Sequence, residues 1–152
     1  MYNTGSKKSQ AEWLLFLGVF LFLLGLLTGL FIPMMTNPRM GLTAHLEGVM
    51  NGMFLVILGL IWHKLIVSEK WLYYTYLLTL YGSFANFVAV TLAAITGAGQ
   101  MMPIAGGKEG APLIEGVISF LLISLALAMI FVCIVVLIGL YRNLKQTGAN
   151  QV

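Results

Sequence analysis

The side chains able to do chemistry in this chain are few, and three of them sit together. Within AHLEGVMNGMF lie an imidazole, a carboxylate and a carboxamide: His45, Glu47 and Asn51. Imidazole binds metals and carries protons near neutral pH. A carboxylate can move a proton, and a carboxamide can hold a polar substrate group in place. On a helix turning about 100° per residue, Gly48 and Gly52 fall within about 60° of His45, and Gly59 extends that stripe. Glu47 and Asn51 are four apart and share an adjacent face. Two readings follow. A large flat ligand needs a donor atom and a flat wall, and histidine beside glycine supplies both; imidazole is an axial ligand of b-type haem. Alternatively, Gly48-xxx-Gly52 is a small-xxx-small pattern that lets two helices approach, with the histidine bonded across them. The residues alone leave both open.

Other polar side chains form a second set. Tyr76, Thr79, Ser83 and Asn86, with Val90, share one helical face. Threonine and serine can bond their own helix backbone, whereas Asn86 needs a partner helix or a cavity. Arg39 is expected in the turn just before His45, either as a solvated charge or as a partner for an acidic group; Glu47 is one such group. Glu115 and Ser119 stand at the outer end of the last apolar run, Glu115 as a helix cap or a functional acid. His63 follows His45 by 18 residues, about 27 Å along a helix, so the two cannot grip one haem within a subunit. It reads as an interfacial residue. With no third histidine, a bis-histidine electron carrier is disfavoured unless two subunits each supply His45. Single ligation leaves an iron position open for substrate. Cys133 reads as a small apolar filler, and one cysteine can hold neither an iron–sulfur cluster nor a structural zinc. The nine methionines read mainly as packing residues. Nucleotide-binding glycine fingerprints, HExxH and a Ser-His-Asp order are all missing.

The elements that position these groups follow from composition. Of 152 residues, 60% are hydrophobic and 9% are charged, against about 25% charged in an ordinary soluble domain. Such a chain cannot dress a soluble surface, nor is it disordered. Four apolar runs, Trp13–Met35, Thr43–Val67, Leu72–Thr96 and Leu113–Tyr141, each exceed the roughly 20 residues that cross a bilayer. The short connections between them predict an all-α, integral-membrane, up-down-up-down four-helix bundle. The first run is too long for the core of a cleaved signal peptide and lacks a small-residue cleavage site. Residues 1–12 and 142–152 read as loose polar tails flanking a bundle over 13–141. Lys7, Lys8, Lys64, Lys70, Arg142 and Lys145 fall on one side, Arg39 and Lys108 on the other. That asymmetry places both termini in the cytoplasm. Trp13, Trp62, Trp71, Tyr73 and Tyr74 mark the same interface. The basic residues are scattered, so no nucleic-acid partner is expected.

The segment NPRMGLTAHLEGVMNGMFLVILGLIW, residues 37–62, resembles the hydroxylaminobenzene mutases of bacterial nitroarene degradation. The likeness extends through the first span and to FANF at residues 84–87. The pattern of His45 followed by Asn51-Gly52-Met53 is also similar to the membrane-bound styrene oxide isomerases. This resemblance implies four spans per subunit in a bacterial inner membrane, a homotrimer, and haem b near the subunit interfaces. It implies His45 as the axial iron ligand and Asn51 and Asn86 beside the substrate; with haem on His45, the helical stripe puts Gly48 and Gly52 at its wall, and Arg39 is placed to pair with a propionate. Where the isomerases carry a catalytic tyrosine, this chain has Val90, which points to the mutase branch. The implied activity is rearrangement of an N-arylhydroxylamine, hydroxylaminobenzene to 2-aminophenol; the mechanism expected for it here has ferric haem as a Lewis acid and Glu47 either as proton carrier or as the salt-bridge partner of Arg39. An apolar aromatic substrate suits a site inside lipid. The alternatives are an epoxide-to-aldehyde rearrangement at the same haem, a non-enzymatic haem-binding membrane protein, and a purely structural four-span protein.

Overall fold

The computed structural model describes residues 4–149, and they are organised around four long helices. Helix α1 spans Thr4–Phe31, α2 Pro38–Ile61, α3 Glu69–Thr96 and α4 Pro112–Ala149. Single 3-10 turns at Ile32–Met34, Trp62–Lys64 and Pro103–Ala105 lie in the three connections. Four helices are long and apolar enough to cross a membrane. Helix α4, at 38 residues, is about 57 Å long, well beyond the hydrocarbon thickness of a bilayer.

The helices outrun the apolar segments that predict them. Helix α1 begins at Thr4 and α4 continues to Ala149. Residues 4–12 and 142–149, expected as loose tails, are therefore helical extensions of the spans. A polar sequence can continue a helix already nucleated by an apolar one, because propagation costs far less than nucleation. Residues 1–3 and 150–152 lie outside the described residues.

Helix α2 also begins earlier than its apolar run. Asn37 is its N-cap, the side chain accepting from the Met40 amide at 3.2 Å, and Pro38 opens the first turn. An amide cap followed by proline is a strong start signal, since proline lacks the N–H that a first turn leaves unbonded. Arg39 is thus on the first turn of α2 and not in a preceding loop. Helix α3 ends where Gly97 takes a left-handed conformation, φ +78°, which glycine adopts without steric cost.

Helices adjacent in sequence pack on one another. Gly18 lies against Gly52 and Val56, Gly25 against Gly48, and Gly29 against His45. That falling register shows α1 and α2 running in opposite directions. A Cβ on Gly48 would lie 2.5 Å from the Gly25 Cα, and one on Gly52 would lie 2.6 Å from the Phe22 amide nitrogen. Backbone therefore meets backbone along this seam. At one end the core gathers Leu14, Leu21, Leu55, Leu58, Trp62 and Val132. There Trp62 donates its indole N–H to Gln10 at 3.1 Å. At the other end Met40, Ala44, Val90, Ala93, Ala94 and Ile118 pack together. Large apolar side chains such as Leu30, Leu127 and Leu137 point outward, as a lipid-facing surface requires.

Candidate functional site

Three of the residues singled out in the sequence converge. Asn51 donates its side-chain N–H to the Glu47 carboxylate at 3.0 Å and to the Glu47 backbone carbonyl at 2.9 Å. Asn86, 39 residues further on, donates to the same carboxylate oxygen at 2.6 Å. Helix periodicity brings Glu47 and Asn51 together, and the packing of α3 on α2 adds Asn86. An acid inside a hydrocarbon slab costs several kcal/mol unless it finds donors. Two carboxamides supply them here, each hydrogen bond to a charged group contributing about 1.5–3 kcal/mol. All three side chains are half-buried. Asn51 has committed its N–H group inward, so its carbonyl oxygen is the atom it can offer to another molecule.

His45 belongs to a different face. Its Nδ1 lies 2.8 Å from the Gly25 carbonyl of α1. A carbonyl accepts, so Nδ1–H donates, and in the neutral ring Nε2 is the nitrogen with the lone pair. Glu47 follows His45 by two residues, roughly 200° around the helix. The imidazole thus points along the α1 side of α2 while the carboxylate cluster lies between α2 and α3.

The glycine stripe is not an open wall. Gly48 and Gly52, expected to line a cofactor, are buried beneath α1, and Gly59 meets Leu15 and Ala11 in the same way. Of the two readings of the stripe, helix packing is the one this subunit adopts. The physical reason is that α1 carries its own small residues, Gly18 and Gly25, in register with those of α2. The sequence reading missed α1 as a participant. The signal was present, since Gly25-xxx-Gly29 repeats the small-xxx-small spacing of α2.

Arg39 is exposed at the outer end, where it lines a cleft of about 460 Å³ with Thr96, Gly106, Lys108 and Glu109. Glu47 turns to Asn51 and Asn86 and not to Arg39. Glu115 is neither a solvated cap nor part of this cluster. It is 5% exposed and its Oε1 accepts from the amides of Gly99, Gln100 and Gly110 at 3.2, 3.4 and 2.9 Å. It therefore pins the loop between α3 and α4. On the second polar face, Thr79 bonds the Thr75 carbonyl at 2.7 Å and Val90 is buried apolar contact. Cys133 is exposed, facing away from the core it was expected to fill.

The donor chemistry fits haem at one point. Nε2 of His45 is an imidazole nitrogen whose opposite N–H is anchored, the arrangement that orients metal-ligating histidines. Among the described residues there is no group of three or more His, Cys, Asp or Glu that could hold a bare metal ion. Iron at His45 would therefore have to arrive inside a macrocycle that supplies the other ligands.

A helical protein with four membrane-length spans, an anchored histidine and an intramembrane carboxylate bound by two carboxamides is the class that this fold and site define. The styrene oxide isomerase family model matches residues 10–141, and the chain belongs to that family of isomerases. It is 53% identical over 142 residues to hydroxylaminobenzene mutase HabB of Ectopseudomonas oleovorans, covering 92% of this chain and 87% of that protein. It is 48% identical over 127 residues to hydroxylaminobenzene mutase HabA of the same organism, covering 82% of this chain and 94% of that protein. No solved structure matches the chain significantly.

Proposed function

We propose that the protein is a membrane-embedded isomerase that converts N-arylhydroxylamines to aminophenols, hydroxylaminobenzene to 2-aminophenol, by intramolecular hydroxyl transfer. The names of its relatives support the substrate class. The observation that carries the chemistry is the Glu47 carboxylate held by Asn51 and Asn86. In the rearrangement the N–O bond breaks, a C–O bond forms at the ortho carbon, that carbon loses a proton and nitrogen gains one. Nothing is oxidised or reduced overall. Glu47 takes the ring proton and returns it to nitrogen. The Asn51 carbonyl oxygen accepts from the hydroxylamine N–H or O–H and orients it. Asn86 holds the carboxylate in place. The apolar surroundings exclude water, which would otherwise capture an electron-poor ring.

Haem b held by Nε2 of His45 would supply a Lewis acid with one open coordination position. His45 and the carboxylate cluster lie on different faces of α2, so one subunit does not wrap both around one ligand. This supports a homotrimer in which His45 of one copy and the Glu47 cluster of a neighbour share a cofactor between subunits. Gly48 and Gly52 then act indirectly, by seating α1. Arg39 at the outer end is placed to meet an acidic substituent of the cofactor. We assign an up-down-up-down arrangement over 13–141 in a bacterial inner membrane, both termini cytoplasmic, on the six-to-two excess of basic residues on that side.

The test is to offer purified protein hydroxylaminobenzene and, separately, styrene oxide, and to identify the products by chromatography. Formation of 2-aminophenol supports the mutase reading. Phenylacetaldehyde alone would move the assignment to epoxide rearrangement, the reading favoured by the family match itself. His45→Ala is expected to lose both the haem absorption band and turnover. Full activity without haem sinks the iron-dependent mechanism.

A further inference from the structure

We infer that Gly25 and Gly29 of α1 are positioning residues for His45, fixing which ring nitrogen carries the proton. The Gly25 carbonyl oxygen lies 2.8 Å from Nδ1, and an acceptor at that distance selects the Nδ1–H tautomer. Two missing side chains make the contact possible. A Cβ on Gly25 would sit 2.6 Å from the Val49 amide nitrogen and 2.8 Å from the Gly48 carbonyl carbon. Any side chain there would lift α1 off α2 and withdraw the carbonyl. A Cβ on Gly29 would sit 2.8 Å from Nδ1 and 3.3 Å from Cε1, so it would push the ring out of its seat. The carbonyl belongs to a helix and cannot follow the ring. The imidazole is therefore held with Nδ1 toward α1 and the Nε2 lone pair directed away from it.

The tautomer stands on this geometry alone; its consequence for a cofactor rests on the reading of His45 as an iron ligand. Hydrogen bonding at Nδ1 makes Nε2 a stronger donor, which strengthens metal retention and stabilises the higher oxidation state of a bound iron.

The test uses full-length protein in lipid nanodiscs, with both histidines 15N-labelled and His63→Gln used to assign them. At mildly alkaline pH, where imidazole is neutral, His45 is expected as one species, protonated at Nδ1 and unprotonated at Nε2. An Nε2–H tautomer, or a mixture of the two, overturns the inference whether or not haem binds. The tautomer found as expected in a protein that never takes up haem upholds the inference and removes the cofactor reading, which keeps the two failures separate. Three variants then divide ring positioning from helix packing. Gly59→Ala strains the same seam at Leu15 and Ala11, and Gly116→Ala meets nothing within 4 Å. Gly29→Ala alone is expected to mix the tautomers, lower haem retention by about tenfold or more, and shift the potential of the remaining haem positive. Equal changes in Gly59→Ala would mean that the seam and not the ring contact matters, and would overturn the assignment.

Discussion

At the scale of single residues, the unusual feature is one carboxylate oxygen taking hydrogen bonds from two carboxamides on two helices. An ionised Glu47 only accepts, so both amides must turn their N–H groups toward it. Glu47→Gln keeps one oxygen that can accept from both carboxamides, but without the charge that strengthens those bonds. It also removes the group that carries the proton. Under the proposed chemistry Glu47→Gln is expected to lower kcat by about 100-fold or more while leaving the haem spectrum in place. Unchanged kcat in steady-state assays removes Glu47 from the proton path. Asn51→Ala is expected to keep haem and lose rate with a raised KM, because its carbonyl oxygen orients the substrate. Glu47 and Asn51 were legible as a pair from their spacing of four. Their union with Asn86 was not, because no rule of helix periodicity sets the register between α2 and α3.

At the scale of elements, the α1–α2 seam decides the most. Gly48→Ala would place a methyl 2.5 Å from the Gly25 Cα, and neither backbone can step aside. The expected cost is about 1–3 kcal/mol, read as a lower Tm in detergent, with Gly116→Ala as an unaffected control. An equal Tm for Gly48→Ala would mean that α1 is looser on α2 than the contacts imply. The sequence contained both glycine series, and the stripe on α2 was visible in it. What hid its use was that a small-xxx-small spacing on α1 marks a close approach without naming what approaches. The start of α2 is a milder case. Asn37-Pro38 signals a helix start by its own chemistry, yet the apolar run begins later and drew the boundary with it.

At the scale of the whole molecule, the loop between α3 and α4 is tied down by Glu115, whose Oε1 gathers three backbone amides. Glu115→Ala removes the acceptor of the Gln100 and Gly110 amides and leaves Gly99 only its bond to the Lys108 carbonyl. Limited proteolysis of residues 99–110 is expected to accelerate several-fold, with the helices intact by circular dichroism; an unchanged cleavage rate would show that other contacts hold the loop. The proposed trimer makes a sharper prediction. His45→Ala subunits, inactive alone, and Asn51→Ala subunits, slowed alone, are expected on co-expression to exceed the activity of either variant, since mixed trimers contain one intact interface. No recovery in trimers shown to be mixed would return the whole site to a single subunit.

Composition and run length together determined that this chain is built of membrane-length helices: 9% charged residues call for a lipid-covered surface, and apolar runs longer than about 20 residues select helices over barrel strands. The scarcity of polar groups also determined which residues to examine, because each one inside a span must have a partner. Only the tertiary structure decided who the partners are. Periodicity gives the direction of a side chain around its own helix, whereas a contact also needs the offset and rotation of the neighbouring helix. Those were set by backbone meeting backbone at Gly25 and Gly48, a fit of shapes that no single helix carries in its sequence. Of the two readings the glycine stripe left open, it selected the packing seam, and it sent His45 to α1. Packing of α3 on α2 brought Asn86 to Glu47.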